Sequence, residues 1–469
     1  MKLKHLVYFA LALSLLLSTG AVQAVIPSAT AASMLWQKNV IDDNEPGVRN
    51  LSTAFVGNNK VPMMIWGKTD QEIVHWAYRT LDGDGNCGPN DSWRCDPAAW
   101  AFNLVDGTLS NLATESFINT HVISWAFQSG SFIRFQTIEQ HDDMSWVDAH
   151  IFDLVDLSKF GGILVGAPSL AIDRLRFRMA FTATESGGGD FPLHQVVYMY
   201  YTGIPNNSCK DDSPYQCDVI EISYDPAAIG TPSLQVALDG SVGIAYYKNG
   251  AIRYAYPWGG TSYLRPANCG GGTWRCINIT DPSTGTVGYQ VKLAYGSSNT
   301  AAGILYSFKP TDKDMLMRAT YVGSGGDCGA DGFTTGLEVI KRWDCNDVDA
   351  FIDDINATTY SIAIDPEDYP VVAWNNKFTG DTRQRLYLAY PAARSGTGGG
   401  WVKEIIDGND WSTTGTQAAL SISKDGLGFI GYMQPSYRAC GEWYCLLDNS
   451  PNLKAAFQVF KTYLPRVQH

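Results

Sequence analysis

One phrase recurs seven times along this 469-residue chain: an aromatic residue, five residues of any kind, then an acid or a threonine. The copies are Trp36–Asp42 (WQKNVID), Trp100–Asp106 (WAFNLVD), Tyr215–Glu221, Trp274–Thr280, Trp343–Asp349 and Trp401–Asp407 (WVKEIID), with Trp146–Asp153 carrying one extra residue. They start 64, 46, 69, 59, 69 and 58 residues apart. A period of this length marks a repeat fold, in which each unit buries its apolar face only against its neighbours.

Three short runs precede each phrase. In the fourth unit they are Ser233–Asp239, Val242–Tyr247 and Ala251–Tyr256; in the sixth, Tyr360–Asp365, Tyr369–Trp374 and Arg385–Tyr390. Runs of five to seven residues rich in Val, Ile, Tyr and Trp, broken by Gly, Asn, Asp and Pro, predict antiparallel strands. No helical period persists in the mature chain. The third run carries Ala followed by an aromatic, at Ala77-Tyr78, Ala255-Tyr256, Ala389-Tyr390 and Ala456-Phe457. A bulky face opposite a small one suits sheets stacked face to face.

The ends decide the topology. Trp36–Asp42 is a fourth strand with no first three before it, and Ala418–Ser423, Gly428–Met433 and Asn452–Phe457 are three strands with no fourth after them. Together they make one unit. The sequence therefore predicts an all-β, seven-bladed β-propeller of four-stranded antiparallel blades over 34–464, closed by the N-terminal strand completing the last blade. Trp443–Asp448 reads as an excursion between strands two and three of that blade. The acids ending the phrase recur from blade to blade, which predicts a repeated structural task such as a turn hydrogen bond. Asp239 and Asp365 end first strands and are expected to cap the turns that follow.

Residues 1–24 read as a secretory signal: basic Lys2 and Lys4, an apolar run from Leu6 to Leu17, and Val22-Gln23-Ala24 before the cut. Residues 25–33 form a linker and 465–469 a tail. Without the leader's two lysines, 32 basic residues face 47 acidic ones. Such a chain is a poor partner for nucleic acid or an anionic membrane, and no second stretch is long enough for a membrane span. The expected location is outside the cytoplasm. Nothing in the sequence fixes an oligomeric state.

Ten cysteines fall as five local pairs: Cys87/Cys95, Cys209/Cys217, Cys269/Cys276, Cys328/Cys345 and Cys440/Cys445. Three share Cys-Gly-…-Trp-x-Cys or its close relative, and an even count in a secreted chain points to disulfides. The spacings, without companion histidines, fit zinc badly. Short-range pairing is the simplest connectivity.

The units, as in Ser169-Leu170-Ala171-Ile172-Asp173, Ile244-Ala245-Tyr246-Tyr247, Ile252–Tyr256 and Trp401–Asp407, resemble those of secreted bacterial β-propeller repeat proteins, which are distantly similar to sialidase-type propellers. Kinship with sialidases would imply glycan chemistry. The chain lacks a full sialidase Asp box, Ser423-Lys424-Asp425-Gly426 being only a similar start, and no arginine triad can be assigned.

Individual residues say less. Gly-x-Ser-x-Gly and phosphate-cradling loops are absent, and His75 and His194 fall in third strands as ordinary half-buried histidines. Asp82, Asp84 and Asn86 place oxygen donors at alternate positions, as calcium loops begin, but Trp93 stands where a bidentate glutamate is required; the other reading is a polar connector. No cofactor is required, and calcium is the one that fits. Aromatic residues on long connectors, Trp258, Tyr263 and Trp274 first among them, suit contacts with a sugar or peptide, or else pack over the disulfides. The expectation is a noncatalytic binding or scaffold protein for an extracellular glycan or protein. The alternative is a glycoside hydrolase or lyase acting at the central mouth of the ring.

Overall fold

The computed structural model describes residues 35–459 except 43–46, 58–60, 69–70, 81–83, 97–103, 106, 118–119, 142–145, 186–192, 225–228, 259–267, 297–302, 336–337, 351, 353, 357, 378–383, 396–398, 409–415 and 441–442. The leader, the linker and the tail lie outside the described residues.

Seven antiparallel blades follow one another along the chain. Blade 1 is Val48–Val56, Val61–Lys68, Gln71–Arg79 and Trp93–Asp96; blade 2 is Ala113–Phe117, Thr120–Ser129, Phe132–His141 and Trp146–Asp156. Blade 3 is Ser169–Asp173, Arg176–Glu185, His194–Asn206 and Ser213–Ser223; blade 4 is Ser233–Val236, Val242–Lys248, Ala251–Pro257 and Trp274–Asn278. Blade 5 is Thr286–Ala294, Gly303–Lys309, Met315–Tyr321 and Glu338–Asp349; blade 6 is Tyr360–Ile364, Pro370–Lys377, Gln384–Pro391 and Trp401–Asp407. Blade 7 is Thr416–Ile422, Gly428–Cys440 and Trp443–Val459, and its fourth strand is the N-terminal Leu35–Asp42. The ring closes as the sequence requires: Phe429 of blade 7 packs on Phe55 and Trp93 of blade 1, with centroids 5.9 and 6.0 Å apart.

Three details differ from the sequence reading. Blade 3 has a fifth strand, Gly162–Leu164, paired with the end of Arg176–Glu185. Strand four of blade 1 begins at Trp93, not at Trp100. Trp93 stands opposite Arg79 as Trp274 stands opposite Pro257, Trp343 opposite Tyr321 and Trp401 opposite Pro391. The tryptophan after the Cys-Gly pair sets the register at the start of the strand; Trp100 lies outside the described residues, and Leu104 of its phrase donates its amide to Glu72 O of strand three (3.3 Å). The connector leading to strand four of blade 5 contains a further strand, Cys328–Thr335, which pairs with Glu338–Asp349 and touches blade 4 through Asn278 and Ala330. The extra residue in Trp146–Asp153 is absorbed by a register shift between Thr137 and Glu139. Trp443–Asp448 lies in the long hairpin joining strands two and three of blade 7, so it begins no eighth blade.

Blades adhere through apolar faces. Between blades 4 and 5, Ala245, Ile252 and Tyr254 meet Leu293, Ile304 and Tyr306, all buried. Two further contacts repeat. Nearest the axis, a first-strand side chain accepts the edge amide of the next blade: Ser52 from Leu112 (2.8 Å), Asn111 from Leu170 (2.8 Å), Ser169 from Leu234 (2.9 Å), Ser233 from Leu293 (2.9 Å) and Ser361 from Leu420 (3.1 Å). Farther out, the acid ending the seven-residue phrase reaches the next blade. Glu221 accepts from Tyr246 (2.8 Å) and pairs with Lys248 and Arg253 (both 2.7 Å); Asp349 pairs with Lys403 (2.8 Å); Asp407 accepts from Tyr432 (2.7 Å) and pairs with Lys454 (2.8 Å). At these three junctions the acid joins blades rather than closing a turn, whereas Asp153 pairs with Arg134 (2.9 Å) and Thr280 accepts from Ile252 N (2.9 Å) within their own blades. Asp239 and Asp365 do cap turns, accepting from Ser241 N (2.8 Å) and Tyr369 N (2.8 Å).

Candidate functional site

Four disulfides, Cys87–Cys95, Cys209–Cys217, Cys269–Cys276 and Cys328–Cys345, close the connection from strand three to strand four in blades 1, 3, 4 and 5. Antiparallel strands alternate in direction, so these connections share one face of the ring with the turns between strands one and two. Cys440 and Cys445 lie in a hairpin between strands two and three, and their side chains lie outside the described residues.

Each of these loops is built alike. The residue before the first cysteine binds the backbone of the second: Asn86 Oδ1 accepts Cys95 N (2.7 Å), Ser208 Oγ accepts Cys217 N (2.9 Å), Asn268 Oδ1 accepts Cys276 N (2.7 Å) and Asp327 Oδ1 accepts Cys345 N (2.8 Å). Asn86 and Asn268 also donate to the same cysteine's carbonyl. Asn86 is therefore held within its loop; Asp84 is exposed, and Asp82 lies outside the described residues. The glycine after the first cysteine takes a left-handed conformation, φ 71° at Gly88, 60° at Gly270 and 71° at Gly329, and each lies flat against a tryptophan. A Cβ on Gly270 would come within 2.4 Å of the Trp274 ring. Asp327, Cys328 and Cys345 converge, but both sulfurs are spent in a disulfide and the carboxylate on Cys345 N.

On this face blade 4 carries a cleft of about 710 Å³ between blades 3 and 5. Its floor is Tyr198, Tyr254 and Trp274, with Tyr200, Tyr256 and Trp258 rising from it. Alternation along strand three sends Tyr254 and Tyr256 to one side of the blade, with Ala255 opposite. Tyr198 stacks on Tyr200 (5.4 Å) and meets Trp274 edge-on (5.1 Å); Tyr256 meets Trp258 edge-on (6.2 Å). The polar margin is Arg178, Asp218 and Arg342. Arg178 is held by Asp173 (2.6 Å) and donates to Tyr198 Oη (3.1 Å); Asp218 accepts from Gln216 (2.9 Å). Burial pushes the Tyr198 phenol up to about 12 and holds Tyr254, bonded to Tyr295, well above its ordinary value. Burial pushes Tyr295 up to about 12 as well, so these three tyrosines are neutral hydroxyls at physiological pH.

Of the aromatics singled out in the sequence, Trp258 and Trp274 come together here, and Tyr263 lies outside the described residues. Their parts differ. Trp274 is 2% exposed and fills the base beneath the Cys269–Cys276 loop, as Trp93 and Trp343 do in theirs. Trp258 is half-buried on the rim, its backbone tied to Thr273 O (2.8 Å), and its indole N–H has no partner among the described residues. The tyrosines Tyr198 and Tyr200 come from blade 3, and no spacing in the sequence links them to Trp258.

No protein-family model matches the chain, and no curated protein matches it. Among solved structures it is similar to the six-bladed fungal lectin of Aleuria aurantia, at 10% identity over 79% of this chain and 100% of that one, with a TM-score of 0.38. It is similar to a mutant of NanB sialidase from Streptococcus pneumoniae, at 10% identity over 90% and 70%, TM-score 0.39. A third is the polysaccharide lyase Uly1, at 10% identity over 74% and 89%, TM-score 0.34. These are likenesses at low identity; the seven blades are established by the strand pairing above.

Proposed function

We propose that this protein is a noncatalytic glycan-binding propeller working in an oxidising, extracytoplasmic compartment, and that the blade 4 cleft holds the sugar. The observation that carries this reading is the cleft itself: three half-buried aromatic faces over a rigid base, with guanidinium and carboxylate groups at the margin. Apolar ring faces take the C–H faces of a sugar while polar margins take its hydroxyls, and the volume is that of an ordinary small-ligand site. The base is rigid because the disulfide and the Asn268 clasp fix Trp274.

A glycosidase reading needs two carboxylates at a set separation across the substrate. Among the described residues the cleft lining contributes one, Asp218, and the lining of the axial channel contributes none. Binding without turnover is therefore the better-supported use. The test is a glycan and polysaccharide array probed with oxidised Val25–His469, with and without calcium. Retention of particular glycans, lost in Trp258→Ala, is the expected result. Shortening of a bound polysaccharide would replace binding with catalysis, and a calcium requirement would bring Asp82, Asp84 and Asn86 into the site. Silence across the array from folded protein would overturn the proposal.

A further inference from the structure

Along the ring axis runs a second cavity, of about 280 Å³, lined by the first strands of the blades or, in blade 2, by the residues leading into it. Its polar wall consists of neutral groups, among them Asn50, Ser52, Asn111, Ser169, Ser233 and Ser361. One lining residue is charged, Lys292 of blade 5.

The position of Lys292 is what makes it informative. Five of the seven junctions are latched by a first-strand Ser or Asn that accepts the next blade's edge amide. Lys292 precedes Leu293 as Ser233 precedes Leu234 and Ser361 precedes Ile362, so it occupies the latch position between blades 5 and 6. An ammonium has no lone pair to offer. At this junction the latch acceptor is replaced by a donor, and the amide in the corresponding place is that of Ile362, whose counterparts at five of the other six junctions receive an oxygen. At the other exception, between blades 7 and 1, Ala419 leaves the position merely empty. Among the described residues no carboxylate pairs with Lys292, and no other residue lining the channel titrates.

We infer that the axial channel binds a small oxyanion, of the carboxylate, phosphate or sulfate class, between the Lys292 ammonium and the Ile362 amide. One oxygen takes the place of the missing latch hydroxyl, and the charge offsets a cation that is exposed to the channel but ringed by protein. Desolvation lowers the pKa of Lys292 from its ordinary value, so the empty site favours losing the proton that a bound anion requires. Binding is then coupled to protonation, and it weakens as pH rises through the lowered Lys292 value.

The experiment is thermal unfolding of the full oxidised chain in phosphate, sulfate or acetate, each against chloride at equal ionic strength. The account expects a millimolar, saturable rise in Tm for at least one oxyanion, and its loss in Lys292→Met. Lys292→Ser restores the latch: it should lose the anion response yet unfold at or above the wild-type temperature in chloride. Phosphate but not acetate acting would assign a tetrahedral anion, and acetate alone a carboxylate. An equal oxyanion response in wild type and both variants, or none in wild type, overturns the inference. Glycan binding at blade 4 is read separately and is untouched by either result.

Discussion

Ser233 Oγ accepts the Leu293 amide at 2.9 Å, and the group it satisfies belongs to the exposed edge of an innermost strand. Without that oxygen an edge amide faces neighbouring protein unpaired, at a cost of about 1–3 kcal/mol. Ser233→Ala should lower unfolding free energy by about 1–2 kcal/mol, while Ala419→Ser, adding a hydroxyl where the ring lacks one, should raise it by about 0.5–1.5 kcal/mol. Chemical denaturation of both variants checks the pair; equal effects of the same sign would contradict the latch. Asp407 tests the outer contact. Burial alone would raise its pKa, but the Lys454 ammonium and the Tyr432 hydroxyl outweigh burial and hold it below the usual carboxylate value. A depressed folded-state pKa means that its stabilisation is present above the unfolded value and lost as pH falls through the folded one. Asp407→Asn should therefore cost stability at neutral pH and flatten the acid limb of the stability profile.

At the scale of one element, the Cys-Gly-…-Trp loop shows how far the sequence can be read. The strands of blades 4 and 6 fall where alternation and turn residues put them, because each strand packs on both sides and declares its period. The four described disulfides pair locally, as the spacing implies. The clasp by Asn86, Ser208, Asn268 and Asp327 is not legible in the sequence, although those residues stand immediately before each first cysteine. Four different side chains perform one task there, so no repeated letter advertises it. The start of strand four in blade 1 is misplaced for the opposite reason: the repeated phrase points to Trp100, while the register is set by Trp93 of the Cys-Gly loop. The cleft is half-legible. Trp258 and Trp274 sit on one connector, whereas Tyr198 and Tyr200 reach them only through blade stacking. Gly270→Ala should cost about 1–3 kcal/mol, more than Gly271→Ala, whose site has a similar φ of 64° but nothing within 4 Å of an added Cβ. Equal losses would show that contact with Trp274 contributes nothing.

Across the whole molecule, a symmetric ring carries an asymmetric site. The N-terminal strand is the fourth strand of the last blade, so deleting 35–42 leaves the Trp443–Val459 edge open to other chains. The truncated protein should melt at lower temperature and self-associate by light scattering. The scaffold repeats, but the cleft does not: the register places Thr80, Thr202, Val322 and Ala392 where blade 4 has Trp258. The most direct test is calorimetric titration of folded, oxidised protein with a monovalent glycan selected on the array. The account predicts one site per chain, abolished or weakened at least tenfold in Trp258→Ala, with Tm unchanged. Several equivalent sites per chain, or full affinity in that variant, would contradict it.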